Sequence, residues 1–149
     1  MINDIIIMEK NGILTYLGCY EGDTCKQDPD HHLEMDFLQT LFSYAREFLE
    51  SHELKEIKLS DHIIAFRTSF EGDIIAIAVC SLDEKMSTIY RILGMILEIY
   101  EKACDLSLKA GILPSTRELN LFEDLIIKYK LVPALPRRIF DEGTPTYVY

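Results

Sequence analysis

Ile74-Ile-Ala-Ile-Ala-Val-Cys80 is apolar at every position. A half-covered strand alternates apolar and polar residues, so a strand apolar on both faces belongs in the middle of a sheet. Its neighbours in the sequence supply the rest of that sheet. Upstream, Ile63 to Phe70 and Leu54 to Leu59 read as a strand pair turned at Ser60-Asp61-His62, and Glu71-Gly72-Asp73 turns the chain into the central strand. Downstream, Ser81-Leu-Asp-Glu84 matches a capping box and opens a long helix that Gly111 stops.

That helix carries Met86, Ile89, Tyr90, Ile92, Leu93, Ile96, Leu97, Ile99, Tyr100, Ala103 and Cys104. They cover an arc of roughly 200°, leaving a polar strip of Arg91, Glu98, Lys102 and Asp105. A helix this apolar is expected to touch two neighbours, the sheet and another helix. Ser115-Thr-Arg-Glu118 is a second capping box, and Leu119, Phe122, Leu125, Ile126 and Tyr129 line a shorter last helix.

Further upstream, Asp4 to Met8 and Ile13 to Tyr20 form two β-branched or aromatic runs separated by Glu9-Lys10-Asn11-Gly12. Asn-Gly between apolar runs signals a hairpin. The polar stretch Glu21 to Asp30 reads as a loop, and Asp28-Pro29 offers a cap and an N1 proline for a helix. This helix carries Phe37, Leu38, Leu41, Phe42, Tyr44, Ala45, Phe48 and Leu49 over roughly 160°, wider than one sheet contact requires. The order is therefore β-β-α-β-β-β-α-α. It predicts an α/β (α+β) fold: a five-stranded, mostly antiparallel sheet, one helix between strands 2 and 3, and two C-terminal helices. Residues 1–130 read as the domain, and 131–149, with Pro133, Pro136 and Pro145, as a tail.

A chain of 149 residues fits one domain, and 48% hydrophobic content is ample for a core. Its net charge of −10, from 25 acidic and 15 basic residues, opposes binding to phosphate backbones and anionic membranes. Nucleic acid and membrane insertion are not expected, and the partners expected are proteins. Met1-Ile-Asn-Asp starts no basic-then-apolar leader, and no apolar run reaches the roughly 20 residues of a membrane span. A cytoplasmic location with reduced thiols is the expectation.

Sites of chemistry are scarce. Cys19, Cys25, His31 and His32 lie near one another in sequence, but the cysteines lack the two-to-four-residue spacing of structural zinc pairs, and a loop with incidental histidines is expected. Asp61 and His62 sit in a turn where both side chains face water. Asp83, Glu84 and Glu118 lie at helix starts and complement the dipole. No phosphate loop, HExxH or GxSxG is present, so no catalytic residue, cofactor or metal site is assigned. Pro133-Ala-Leu-Pro136-Arg137-Arg138 has the composition of a polyproline ligand, or of a stiff tail pinned by Leu135, Ile139 and Phe140; the second reading is preferred. Tyr147-Val-Tyr149 is placed as a strand for an open sheet edge.

The element order, with Lys58-Leu-Ser-Asp-His-Ile-Ile-Ala-Phe-Arg67, Ile74-Ile-Ala-Ile-Ala-Val, Leu82-Asp-Glu-Lys and Ile92-Leu-Gly-Met-Ile-Leu-Glu-Ile-Tyr100, resembles the longin-like domains. It covers residues 2–109, and 118–129 more loosely. A roadblock-type domain is the nearest rival, but that family usually starts with a helix and this chain starts with a strand. The resemblance implies a longin/profilin-like, non-enzymatic interaction module of the stand-alone kind, like small adaptin chains and transport-particle subunits. Such a module pairs with itself or with another longin or roadblock chain, and binds or regulates a small GTPase or scaffolds a trafficking-type complex. It also implies an interface of Phe42, Arg46 and Leu49 on the first helix with Ile57 and Leu59 on the adjacent edge strand. The alternative is that the helix flank is simply core. The rival function is a small-molecule sensor of PAS or GAF type, with a cavity under the first helix lined by residues such as Phe66 and Tyr16.

Overall fold

The computed structural model describes residues 2–9, 13–20, 40, 55–60, 62–69, 73–132, 137–141 and 144–146. The strands are β1 (Ile2–Glu9), β2 (Leu14–Cys19), β3 (Glu56–Lys58), β4 (His62–Thr68), β5 (Ile74–Ser81), β6 (Arg137–Asp141) and β7 (Thr144–Thr146). The helices are α1 (Met86–Ala103), α2 (Asp105–Ala110) and α3 (Thr116–Lys128). The fold is α+β.

All pairings in the sheet are antiparallel, and the strand order is β3-β4-β5-β1-β2-β6-β7. The five strands expected from the sequence form the contiguous part β3-β4-β5-β1-β2. As the all-apolar pattern requires, β5 lies inside, between β4 and β1. Two further short strands extend this five-stranded part. The segment after the last helix adds β6 beside β2, with Gly18 opposite Arg138 and Cys19 opposite Arg137, and β7 follows it. This pairing satisfies backbone groups that β2 would otherwise leave open along its edge.

Alternation along the strands builds two cores. Ile5 and Ile7 of β1, Tyr16 of β2, Ala65 of β4, and Ala76, Ala78 and Cys80 of β5 join one cluster with Ile89, Leu93, Ile96, Leu97 and Tyr100 of α1 and Leu119, Phe122 and Ile126 of α3. Ile6, Met8, Leu17, Ile64, Phe66, Ile75 and Ile77 form the second cluster on the opposite face, and no described helix contributes to it. In the first cluster Phe122 stands edge-on to Tyr16 (5.0 Å between centroids) and to Tyr100 (5.4 Å). The buried hydroxyls find partners: Tyr16 and Tyr20 share a hydrogen bond of 2.6 Å, and Tyr100 Oη donates to Thr15 Oγ1 at 2.9 Å.

Two helix boundaries differ from the expectation. Ser81 does not cap α1: it is the last residue of β5, opposite His62, and α1 begins at Met86 with Lys85 as an N-cap that makes no side-chain bond. The strand ladder claims the serine that the capping pattern pointed to, so Asp83 and Glu84 lie in the turn before α1 and not in its first turn. The long helix is also divided. Cys104, at φ −108° and ψ 22°, separates α1 from α2, which then ends at Gly111 in the left-handed region (φ 70°) that glycine adopts without a Cβ penalty. The second capping box is present as read. Ser115 Oγ accepts from the Glu118 N–H at 3.2 Å and Glu118 Oε1 accepts from the Ser115 N–H at 3.0 Å.

Candidate functional site

The edge strand β3 is three residues long, and its register on β4 settles which of its backbone groups are spent. Phe66 N–H donates to Lys55 O and Leu59 N–H donates to His62 O, both at 2.8 Å. Those pairs alternate with Ile57 opposite Ile64, so residues 55, 57 and 59 turn their backbone groups toward β4. Glu56 and Lys58, opposite Ala65 and Ile63, therefore turn theirs outward. Both side chains are exposed. Ile57 is half-buried against the second cluster. Leu59, on the same side as Ile57, stays 47% exposed. A sheet edge whose outward donors and acceptors have no partner among the described residues, with opposite charges two residues apart and an exposed leucine, is equipped to pair with another strand.

Of the residues expected at an interface, Ile57 and Leu59 are on this edge, while Phe42, Arg46 and Leu49 lie outside the described residues. Cys19 is in β2; Cys25, His31 and His32 lie outside the described residues. His62 is not in a turn as expected. It opens β4, half-buried, because it pairs with Ser81 of β5; Asp61 lies outside the described residues. Phe66 and Tyr16 cannot line one cavity. They belong to the two clusters on opposite faces of the sheet, each 1% exposed, because β2 and β4 present them with opposite parity.

The acidic residues Glu118 and Asp83 are tied locally. Glu118 accepts from both serine hydroxyls, Ser115 Oγ at 3.0 Å and Ser107 Oγ at shorter range, so it joins α2 to the start of α3. These bonds, the Ser107 hydroxyl foremost, hold its carboxyl below the usual glutamate range. A side-chain bond from Ser81 does the same for Asp83. Both arrangements stabilise turns and explain the carboxylates without chemistry.

One arrangement on the helix side has no counterpart in the sequence reading. Arg67 of β4 donates from Nη1 to the Tyr90 carbonyl of α1 at 2.7 Å, and its guanidinium carbon stands 4.6 Å from the centre of the Tyr90 ring. It lies against Gly94, where a side chain would collide with it. The available signal was a glycine inside an otherwise apolar helix, which costs about 1 kcal/mol relative to alanine and so calls for a packing reason. Among the described residues no helix is long and apolar enough to cross a membrane. No known family model matches this sequence, and no curated protein matches it either.

Proposed function

We propose that the protein is a longin-like, non-catalytic interaction module that pairs through the β3 edge, and that the pair binds or regulates a small GTPase or scaffolds a trafficking-type complex in the cytoplasm. The observation that carries the reading is the self-complementarity of Glu56-Ile57-Lys58. If a second copy pairs antiparallel about Ile57, Glu56 of each chain faces Lys58 of the other. Those are the residues whose backbone groups point outward, so they also exchange the ladder hydrogen bonds. Ile57 then meets its own copy, and Leu59 is covered. Centring the pair on Glu56 or on Lys58 places like charges opposite each other, which disfavours those registers. An isologous interface of this kind is the usual basis of a two-fold dimer. The order β3-β4-β5-β1-β2, reached by a hairpin and a meander, supports the longin-like assignment.

Sedimentation equilibrium tests the pairing. The protein as it stands is expected to form a dimer. Glu56→Lys and Lys58→Glu, each placing like charges opposite, are expected to give monomers, and the double exchange to restore the dimer. A monomer at all concentrations, or single variants that still dimerise, overturns pairing through β3. Affinity capture with GDP and with a non-hydrolysable GTP analogue tests the next step: recovery of a small GTPase in one nucleotide state alone supports the regulatory role, and its absence in both removes it.

A further inference from the structure

Arg67, Arg91, Tyr90, Gly94 and Met95 line an open groove of about 500 Å³ along α1, with Ser87 toward one end and Glu98 toward the other. Among the described residues, no carboxylate forms an ion pair with either arginine. In a chain of net charge −10, two arginines facing one groove without an acidic partner form a local site of the opposite sign. Arg67 is also fixed in advance. Its bond to the Tyr90 carbonyl and its stacking on the Tyr90 ring hold the guanidinium against Gly94, so little side-chain freedom remains to be lost on binding. A guanidinium presents a planar fork of donors that matches a carboxylate.

The rest of the groove describes what accompanies that carboxylate. Met95 is 38% exposed and offers an apolar surface beside the arginines. Glu98 follows one helical turn further on. At about 1.5 Å of rise per residue, the stripe from Ser87 to Glu98 spans roughly 16 Å, the length of about five residues of extended chain. The groove is open along one side, whereas a small-molecule site encloses most of its ligand. We propose that this groove binds an extended segment of a partner protein that carries a carboxylate, an apolar side chain and a basic residue on one face. Its carboxylate is held between Arg67 and Arg91, its next apolar side chain lies on Met95, and a basic residue meets Glu98. The site is on the helix side of the sheet and does not depend on pairing through β3.

The test is a titration of the full, nitrogen-15-labelled chain with the peptide acetyl-Glu-Ala-Leu-Ala-Lys-amide, whose first, third and fifth side chains share one face when extended, read by backbone amide shifts. Saturable shifts are expected at Ser87, Tyr90, Arg91 and Gly94. Replacing the peptide's glutamate with glutamine is expected to weaken binding at least about tenfold, the loss expected for a charged hydrogen bond. Arg91→Glu, an exposed substitution whose spectrum elsewhere should be unchanged, is expected to weaken it by at least as much. Lys58→Glu, at the β3 edge, is expected to leave it intact. Absence of shifts at those amides, equal binding of the glutamine peptide, or binding unaffected by Arg91→Glu overturns the proposal. So does an identical response to acetate alone, which would mark a simple anion site.

Discussion

A β-carbon on Gly94 would stand 2.5 Å from Nη1 of Arg67. The bare helix backbone at Gly94 is what lets the guanidinium reach the Tyr90 carbonyl and ring. Gly94→Ala adds helix propensity of about 1 kcal/mol but displaces a charged hydrogen bond of about 1.5 kcal/mol and a cation–π contact of about 0.5–1 kcal/mol. The expected sum is a loss of about 1 kcal/mol in urea unfolding. With Arg67→Ala already in place the same substitution is expected to stabilise by about 1 kcal/mol, and this change of sign in a double-mutant cycle is the measurement that isolates the pair.

Phe122 is fully buried between Tyr16 and Tyr100, and it joins α3 to the sheet and to α1. Phe122→Ala is expected to cost about 3–5 kcal/mol, a large part of the 5–15 kcal/mol typical of a domain. Phe122→Leu keeps most of the volume but loses both edge-on contacts, and should cost about 1–3 kcal/mol. Chemical denaturation with unchanged slope distinguishes these losses from a change in compactness.

Glu118 carries a pH dependence of known sign. Its carboxyl is held below the ordinary 4.5 by the Ser107 hydroxyl and then by the Ser115 backbone N–H. A depressed folded value means that the contribution to stability is complete above the unfolded value and is lost as pH falls through the folded one. Unfolding curves between pH 7 and pH 3 should therefore converge for wild type and Glu118→Gln as the pH drops. Ser115→Ala, which removes the cap itself, is expected to cost about 1 kcal/mol at neutral pH.

Cys80 and Cys104 should be inert in the folded protein. Burial pushes their thiols up to about 11 and about 12, so almost no thiolate exists at pH 8. Site-resolved mass spectrometry after iodoacetamide treatment is expected to find both unmodified in buffer and both alkylated in urea.

Hydrophobic period carried the strand reading because β5 is apolar on both faces and the β1 and β2 runs flank an Asn-Gly pair in the sequence. The Ser115 capping box was equally readable, since both of its bonds lie within four residues of sequence. What the pattern could not carry was competition from distant partners. Ser81 has the right neighbours for a cap, but His62 takes it into the sheet. The break at Cys104 has no proline or glycine to announce it. β6 is set off by prolines that read as a tail, and its pairing with β2 depends on a partner more than a hundred residues away. The β3 edge is half legible in the same way: alternating charge at Glu56 and Lys58 is visible in sequence, but only the register on β4 says which backbone groups point outward.

The outermost strand at the far side of the sheet, β7, has Pro145 between Thr144 and Thr146. Proline brings no N–H to a ladder, so this border is a poor template for another chain. A sheet with two receptive borders can add copies indefinitely and grow into a fibre. If β3 pairs with its own copy as proposed, a proline at this border confines growth to a single step, and the assembly would stop at two.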